Sequence, residues 1–319
     1  MPVDRVMPVD RILDKRLVIV AGKGGTGRTT VAAALALAAA RNRKRVLICQ
    51  TKSKDRLPAL FGCGPVGSSI TSVRENLSAV NMTPEMALRE YGTMVLRSQF
   101  VARQVLENKI SRAFLHAIPG LEDYSMLGKV WYHCTDAAEN GRWDLVILDG
   151  PATGHLINML RIPQAILDAV PEGPLTRPAA DCLRLLRDPA RTAMLLVTLA
   201  EELPVTETVE LADKARSLVG LSLGPVVVNQ LYPPRFAQGP SARALTALEH
   251  PGAGPLTSAL RTAHTAARRR ALQEEHMAQL KSRLPEPQIH LPVLFRETFG
   301  PRETGELSDR LEQQLAALA

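Results

Sequence analysis

This sequence lacks any close pair of cysteines. Its four cysteines are scattered, so the spacings of a zinc knuckle or a disulfide framework are absent; they are Cys49, Cys63, Cys134 and Cys182. No apolar run approaches the length of a membrane span, and no apolar signal core follows the N-terminus. We therefore expect a cytoplasmic protein without a zinc site or an iron–sulfur cluster.

Aromatic residues are also scarce, at 4% of the 319 residues. Surfaces that bind single-stranded nucleic acid usually combine basic residues with aromatic ones that stack on bases. The chain carries a net charge of +7, but its densest basic run, Arg268 to Arg270, has no interleaved aromatic residue. We expect no nucleic acid partner and interpret this run as a solvated helix face, although an anionic membrane or a phosphate-rich ligand also fits the charge.

Short apolar runs separated by helix-forming segments recur along the chain. Hydrophobic residues make up 45% of the sequence, a balance that with few aromatics favours helices packed on a parallel sheet. Six runs have the composition of buried strands, at residues 16–21, 45–50, 143–149, 193–199, 225–231 and 289–294. The predicted fold class is α/β, with a doubly wound, mainly parallel sheet.

Two stretches are rich in helix formers and lie between predicted strands. Residues 69–139 are too long for a simple crossover, and residues 157–190 follow the next strand. We expect them to form a helical subdomain at one edge of the sheet, within a single domain spanning residues 16–319. Residues 1–15 contain the near repeats MPVDRV and MPVDRI and are expected to be a disordered tail.

A glycine-rich loop follows the first predicted strand and precedes an Ala-rich helix. It fits the phosphate-binding loop of P-loop proteins, except that Arg28 stands where lysine is usual. Glycines let backbone N–H groups turn towards phosphates, and the following helix adds the positive end of its dipole. The predicted nucleotide-binding residues of this loop are Gly22, Lys23, Gly24, Gly25, Thr26, Gly27, Arg28, Thr29 and Thr30.

Two residues of this pattern predict a magnesium site. Thr29 occupies the loop position whose hydroxyl binds Mg²⁺, and Asp149 ends the third predicted strand, from which a carboxylate can hold the ion through water. Arg28 can supply a cation to the β- and γ-phosphates, although its planar guanidinium is not equivalent to the ammonium group of a lysine. Lys23 lies too early in the loop to replace Arg28 at the phosphates bound by its own chain, so we expect it to have a different role.

A second motif runs from Asp149 to Pro163 and begins with the letters DGPATGH. Together with Lys23, the extra lysine of the loop, it resembles the ArsA-like family of arsenite-pump and tail-anchored-protein-targeting ATPases, which carry a deviant Walker A loop. The resemblance implies a dimer that binds ATP/ADP with Mg²⁺. It also implies that Lys23 reaches the partner subunit's nucleotide as a transition-state cation, which makes Lys23 and Asp149 the predicted catalytic residues.

The same resemblance assigns further binding residues. The segment after Asp149 would be a switch II that senses the γ-phosphate, although His155 fits a structural hydrogen-bonding role equally well. Asn229 would bind adenine through its amide, and Pro292 would line the other side of the base, which favours ATP over GTP. The switch II residues are Pro151, Thr153, Gly154 and His155.

The chain departs from this family in its switch I segment. Active relatives carry an aspartate there that positions the attacking water, but Thr51 stands about where that aspartate belongs. Asp55, four residues further on, could replace it only if the loop is rearranged. Because a positioned carboxylate contributes about a hundredfold to ten-thousandfold to such a step, we expect slow turnover.

The resemblance leaves the partner open between a second copy and a paralogous ATPase, that is, a homodimer or a heterodimer. The sequence lacks the paired cysteines used in tail-anchor targeting and the cysteine cluster of the arsenite pump, so neither named function transfers. We expect ATP binding and hydrolysis to drive capture or release of a protein, hydrophobic or membrane-protein client, with membrane contact only through a partner. The alternative is a catalytically degenerate nucleotide-binding subunit that regulates an active paralogue.

Overall fold

The chain folds around one sheet, in a computed structural model that describes residues 9–51, 55–96, 120–135, 143–169, 171–172, 176–235, 241, 243, 245 and 255–318. The strands of the described residues are β1 Leu17–Ala21, β2 Val46–Thr51, β3 Thr71–Arg74, β4 Leu77–Met82, β5 Leu145–Asp149, β6 Thr192–Leu199, β7 Leu223–Leu231 and β8 Gln288–Pro292. Their order across the sheet is β3-β4-β2-β5-β1-β6-β7-β8. Every neighbouring pair is parallel except β3 with β4, so the predicted α/β fold class with a mainly parallel sheet is confirmed.

Helices cover both faces of this sheet. The described α-helices are α1 Arg28–Arg41, α2 Leu57–Phe61, α3 Pro84–Leu96, α4 Leu121–His133, α5 Thr153–Ala169, α6 Thr176–Arg187, α7 Glu202–Lys214, α8 Pro255–Arg283 and α9 Pro301–Ala317. One core layer packs α1, α2 and α9 against the sheet, and the other packs α3 to α8 against the opposite face. None of the helices within the described ranges has both the length and the apolar content that crossing a bilayer requires.

The central strands are buried on both faces, which explains their continuous apolar sequences. All five residues of β1 and of β5 are buried, as expected for parallel strands covered by helices. The six strands predicted from sequence are all present, with ends displaced by a few residues. The predicted Ala-rich helix is α1, and its small side chains let it pack closely on the sheet beneath the glycine-rich loop.

Two strands were not predicted, so the expectation of helix from residue 69 is wrong for residues 71–82. There β3 and β4 form an antiparallel pair joined by a tight turn in which Asn76 has a φ of 57°. β4 extends the parallel sheet by pairing with β2, and this long-range pairing is not visible in local composition. The helical subdomain as a unit stays a prediction, because residues 97–119 and 136–142 lie outside the described residues.

The N-terminal segment is more ordered than its sequence indicated. Residues 1–8 lie outside the described residues, but Val9–Asp14 forms a 3-10 helix. Ile12 is 3% exposed and joins the core. Its side chain packs directly against Gly224, where it fills the space that a Cβ would need. The prediction of a disordered tail is therefore wrong from residue 9 onwards.

The cysteines provide a test of this packing. Burial raises the pKa of the Cys49 thiol to about 12 and raises the pKa values of Cys134 and Cys182, whereas Cys63 is only partly buried. Because the thiolate is the reactive form, we expect an aromatic disulfide reagent to modify Cys63 quickly in the native protein and all four thiols only after denaturation. Cys63→Ser should remove the fast phase, and rapid modification of Cys49 would contradict the buried sheet.

Candidate nucleotide-binding site

The glycine-rich loop lies between β1 and α1, at the carboxyl edge of the sheet. Two of its glycines are required by its shape. A Cβ on Gly22 would lie 2.1 Å from the carbonyl oxygen of Val197, and a Cβ on Gly27 would lie 2.3 Å from Asn229 Nδ2. Gly27 also has a φ of 90°, a left-handed conformation that other residues rarely adopt, and it immediately precedes α1. The loop therefore leads the chain into a helix N-terminus, the arrangement that favours phosphate binding.

The predicted metal ligands are in direct contact. Val20 of β1 pairs with Asp149 of β5, and the Thr29 hydroxyl donates a hydrogen bond of 2.7 Å to Asp149 Oδ2. Gln50 Nε2 donates to the same oxygen at 3.2 Å. A hydroxyl and a carboxylate at this spacing form a set of oxygen donors that suits Mg²⁺. These two residues could hold the ion between the loop and β5, directly or through water.

Asp149 is a carboxyl at a buried position. Its side chain is almost inaccessible, and burial raises the pKa of this carboxyl, an effect that the hydrogen bonds from Thr29 and Gln50 partly oppose. Arg28 also lies close enough to favour the charged form. The charged form of Asp149 thus carries an unfavourable desolvation energy, which a bound cation would offset.

Arg28 joins the loop to the predicted switch II. Its Nη1 donates hydrogen bonds to the carbonyl oxygens of Gly150 at 2.9 Å and Pro151 at 2.5 Å. Burial lowers the pKa of this guanidinium, and the attraction of Asp149 opposes that change. The residue that replaces the usual loop lysine is therefore in contact with the segment that was predicted to sense the γ-phosphate.

A cavity of about 280 Å³ lies between the loop, β2, β5 and the start of α5. The lining residues are Arg28, Thr29, Thr51, Asp123, Asp149, Gly150, Pro151, Ala152 and His155. Of the predicted switch II residues, Pro151 and His155 line this cavity, while Thr153 and Gly154 form the first turn of α5. Thr51, the position expected for the switch I aspartate, is also part of the wall.

Lys23 does not line this cavity. Its Nζ forms an ion pair of 2.7 Å with Glu207 of α7, and both side chains are about one-third exposed. The two cations of the loop therefore contact different elements: Arg28 bonds to the predicted switch II, and Lys23 pairs with α7. The role of Lys23 at a partner subunit's phosphates stays a prediction.

The residues predicted to bind the base lie at the same edge of the sheet. Asn229 is buried near the end of β7, where its Nδ2 donates to the carbonyl oxygen of Thr26 at 2.9 Å and its Oδ1 accepts from the N–H of Gln230. Pro292 is the last residue of β8. In this conformation Asn229 braces the phosphate loop, and its contact with adenine stays a prediction.

A second cavity, of about 620 Å³, adjoins these strand ends and was missed by the sequence analysis. Tyr232 and Phe295 meet edge to face with ring centroids 5.7 Å apart, and Arg269 lies over the Tyr232 ring at 5.5 Å. Arg270 donates to the carbonyl oxygen of Tyr232, and its side chain is 15% exposed. Arg268 and Arg269 are exposed, as a solvated helix face requires, whereas Arg270 is partly buried and bonds to the main chain of Tyr232, so the interpretation as a solvated face holds for only part of the run.

Asp123 was missed as well, although it lines the smaller cavity. It lies in α4, within a stretch that the sequence analysis treated only as part of a helical insertion. An acidic residue in the first turn of a helix is common because it complements the helix dipole, so the local sequence carried no specific signal. Only the packing of α4 against α5 and β5 brings it to the loop.

Neutralising Asp149 should stabilise the empty fold. A folded-state pKa above the unfolded value of about 3.9 means that the unfolded chain loses its proton first as pH rises, so this carboxyl lowers stability from that pH upwards. We expect Asp149→Asn to raise the melting temperature of the nucleotide-free protein at neutral pH by roughly 1–4 °C. Differential scanning calorimetry measures this change.

The matched control, Asp144→Asn, should change the melting temperature in the opposite direction. Hydrogen bonds from Arg45 lower the pKa of Asp144, so its charge favours folding above the unfolded pKa, and Asp144→Asn should lower the melting temperature at neutral pH by an amount that shrinks as the pH falls through the folded-state pKa of Asp144. A fall in melting temperature for Asp149→Asn at neutral pH would contradict the account of Asp149 as an unfavourably buried charge.

Comparison with known proteins agrees with this geometry. Residues 15–172 match the family model described as anion-transporting ATPase. The chain is 29% identical to ATPase BagA of Mycobacterium tuberculosis over 241 residues, which cover 73% of this chain and 70% of that protein. It is 23% identical to ATPase GET3 of Kluyveromyces lactis over 265 residues, which cover 72% of this chain and 75% of that protein.

A third relative is much longer than this chain. The arsenical pump-driving ATPase of Escherichia coli is 27% identical over 234 residues, which cover 66% of this chain but only 39% of the pump ATPase. The matched family region contains the phosphate loop, Asp149 and switch II, the parts of the site that the structure brings together. The chain is thus a P-loop ATPase that belongs to the ArsA-like family of anion-transporting ATPases.

Proposed function

We propose that this chain is a nucleotide-gated ATPase that works as a dimer and couples ATP binding and hydrolysis to the capture or release of a client. The observation that carries the proposal is the contact of Thr29 with Asp149 at the end of the phosphate loop. This contact assembles donors for magnesium beside a cavity that can take the γ-phosphate. Mg²⁺ would neutralise phosphate charge there, and the loop N–H groups would bind the phosphates.

Arg28 supports the gating part of the proposal. Because Arg28 bonds to Gly150 and Pro151, a γ-phosphate that attracts its guanidinium changes the contacts of switch II. Switch II continues directly into α5, which packs against α4 and α6. A nucleotide-dependent shift of switch II therefore has a mechanical route into the helices where a protein or hydrophobic client would bind.

The position of Lys23 supports the dimer. Lys23 is held by Glu207 away from the cavity of its own chain, at a partly exposed site. In a face-to-face dimer such a lysine can reach the partner subunit's phosphates, where a cation stabilises the charge that develops in the transition state. The second subunit in this proposal is another copy of this chain or a paralogous ATPase.

Removal of Lys23 tests the contribution across the dimer. We expect Lys23→Ala to lower the single-turnover rate of ATP hydrolysis by about a thousandfold or more, because a cation supplied in trans contributes on that scale. Radiolabelled ATP with Mg²⁺, at protein concentrations that saturate nucleotide, gives the rate. Lys214→Ala is the matched control, since Lys214 forms an exposed ion pair on α7 with Glu210. Undiminished turnover in Lys23→Ala would rule out the trans role.

The contact with Glu207 predicts a gain of activity. Neutralising this carboxylate removes the acceptor that holds Lys23 in its own chain, so Glu207→Gln should raise the hydrolysis rate at subsaturating protein concentration. The expected gain is roughly two- to fivefold, because a partly exposed ion pair contributes up to about 1 kcal/mol. Glu210→Gln, which breaks the neighbouring pair, should leave the rate unchanged. A slower Glu207→Gln protein would mean that Glu207 assists the reaction rather than opposing it.

The second candidate is a catalytically degenerate subunit that binds nucleotide and regulates an active paralogue. The observation in its favour is that Arg28 replaces the loop lysine and is engaged with two backbone carbonyls. Affinity purification from the native host distinguishes the two. Recovery of a paralogous ATPase with bound but unhydrolysed ATP on this chain supports the second candidate, whereas hydrolysis by a pure homodimer excludes it.

A further inference from the structure

A second carboxylate faces the cavity at the phosphate end of the loop. Asp123 lies in the first turn of α4, and it lines the cavity of about 280 Å³ together with Thr29, Asp149 and His155. Asp123 is intermediate in exposure, whereas Asp149 is buried. The two acids therefore differ in their access to water, although they share one cavity.

The other acidic residues near switch I are placed differently. Asp149 accepts hydrogen bonds from Thr29 and Gln50 at the position suited to the metal ion. Asp55 accepts a hydrogen bond of 2.8 Å from the backbone N–H of Val66 and is not part of the cavity wall. Residues 52–54 have the sequence Lys-Ser-Lys and contain no carboxylate. Among the residues that the structure describes, Asp123 is the acid other than Asp149 that lines this cavity.

The position of Asp123 is fixed by the packing of its helix. α4 follows Gly120, whose φ of 81° turns the chain, and the N–H of Tyr124 donates to the Gly120 carbonyl oxygen at 2.8 Å. Tyr124 is 3% exposed and packs against Ile162 and Ile166 of α5. Because α5 begins in switch II, a shift of switch II is transmitted to the turn that carries Asp123.

We infer that Asp123 takes the place of the missing switch I aspartate and positions the water that attacks the γ-phosphate. The inference rests on the proposed hydrolysis of ATP by this chain. It assigns separate roles to the two acids of the cavity: Asp149 holds the metal ion together with Thr29, and Asp123 accepts the hydrogen bond of the attacking water.

The chemical step balances without a further reactant. A bond forms between the water oxygen and the γ-phosphorus. The bond between that phosphorus and the oxygen bridging to the β-phosphate breaks, and its electron pair stays on ADP. The proton of the water passes to the carboxylate of Asp123, from which it returns to solvent when phosphate leaves. Arg28, which lines the same cavity, stabilises the negative charge that spreads over the γ-phosphate oxygens.

The test compares Asp123→Asn, Asp123→Glu and wild type in single-turnover hydrolysis of radiolabelled ATP with saturating Mg²⁺. Asp123→Asn keeps the side-chain size but cannot take the proton, so the rate should fall by about a hundredfold or more. Asp123→Glu retains a carboxylate and should recover most of the rate, to within about tenfold of wild type. Asp213→Asn, at an exposed position of α7, is the matched control and should leave the rate unchanged.

Three further readings separate this role from others. We expect Asp123→Asn and wild type to have the same affinity for a fluorescent ATP analogue and the same melting temperature. Equal values exclude a loss of folding or of nucleotide binding as the cause of the slower rate. If wild type hydrolyses ATP and Asp123→Asn does so at the same rate, the inference about Asp123 is overturned while the proposed function stands. An Asp123→Asn protein that regains the wild-type rate at higher Mg²⁺ concentration also overturns it, because Asp123 would then serve the ion. A wild-type chain that binds ATP and never converts it overturns both this inference and the proposed hydrolysis.

Discussion

The hydrogen bond between Thr29 and Asp149 is the constraint on which the rest of the site depends. It joins the first residues of α1 to the end of β5, and it can form because β1 and β5 are neighbours in register at the centre of the sheet. The bond places a carboxylate where burial disfavours its charge. Burial makes that charge unfavourable, and a bound cation would offset the cost, as expected for a locally destabilising group that serves a ligand.

Arg28 couples this centre to the segment that follows β5. One of its nitrogens, Nη1, donates to both switch II carbonyls, and a guanidinium has further N–H donors in the same plane. An arginine at this position can therefore contact a phosphate while it still holds switch II, which a lysine ammonium does with less directional control. The replacement of the usual loop lysine therefore adds contacts with switch II and leaves further N–H donors that a phosphate could accept from.

Local sequence was sufficient for the parts of the molecule that are continuous in the chain. The strand, loop and helix of residues 17–41 were predicted because their apolar run, glycines and alanines lie side by side. β3 was not, because it is a four-residue edge strand with one buried side chain. The contacts of Lys23 with Glu207 and of Arg269 with Tyr232 join residues distant in sequence, and no periodicity or spacing could indicate them. The placement of Asp123 in the cavity depends on helix packing for the same reason.

The two cations of the loop show how an empty phosphate site is stabilised. Without a ligand, Lys23 and Arg28 would repel each other and attract any anion, but each has an acceptor within its own chain, a carboxylate on α7 for Lys23 and two carbonyls of switch II for Arg28. A phosphate that attracts Arg28, or a partner subunit's phosphate that attracts Lys23, would have to compete with that residue's present acceptor, and the competition would weaken its binding. Any phosphate that attracts Arg28 acts on switch II, and any partner that attracts Lys23 acts on α7. The acceptors of these two charges thus link the phosphate loop to two separate elements of the fold.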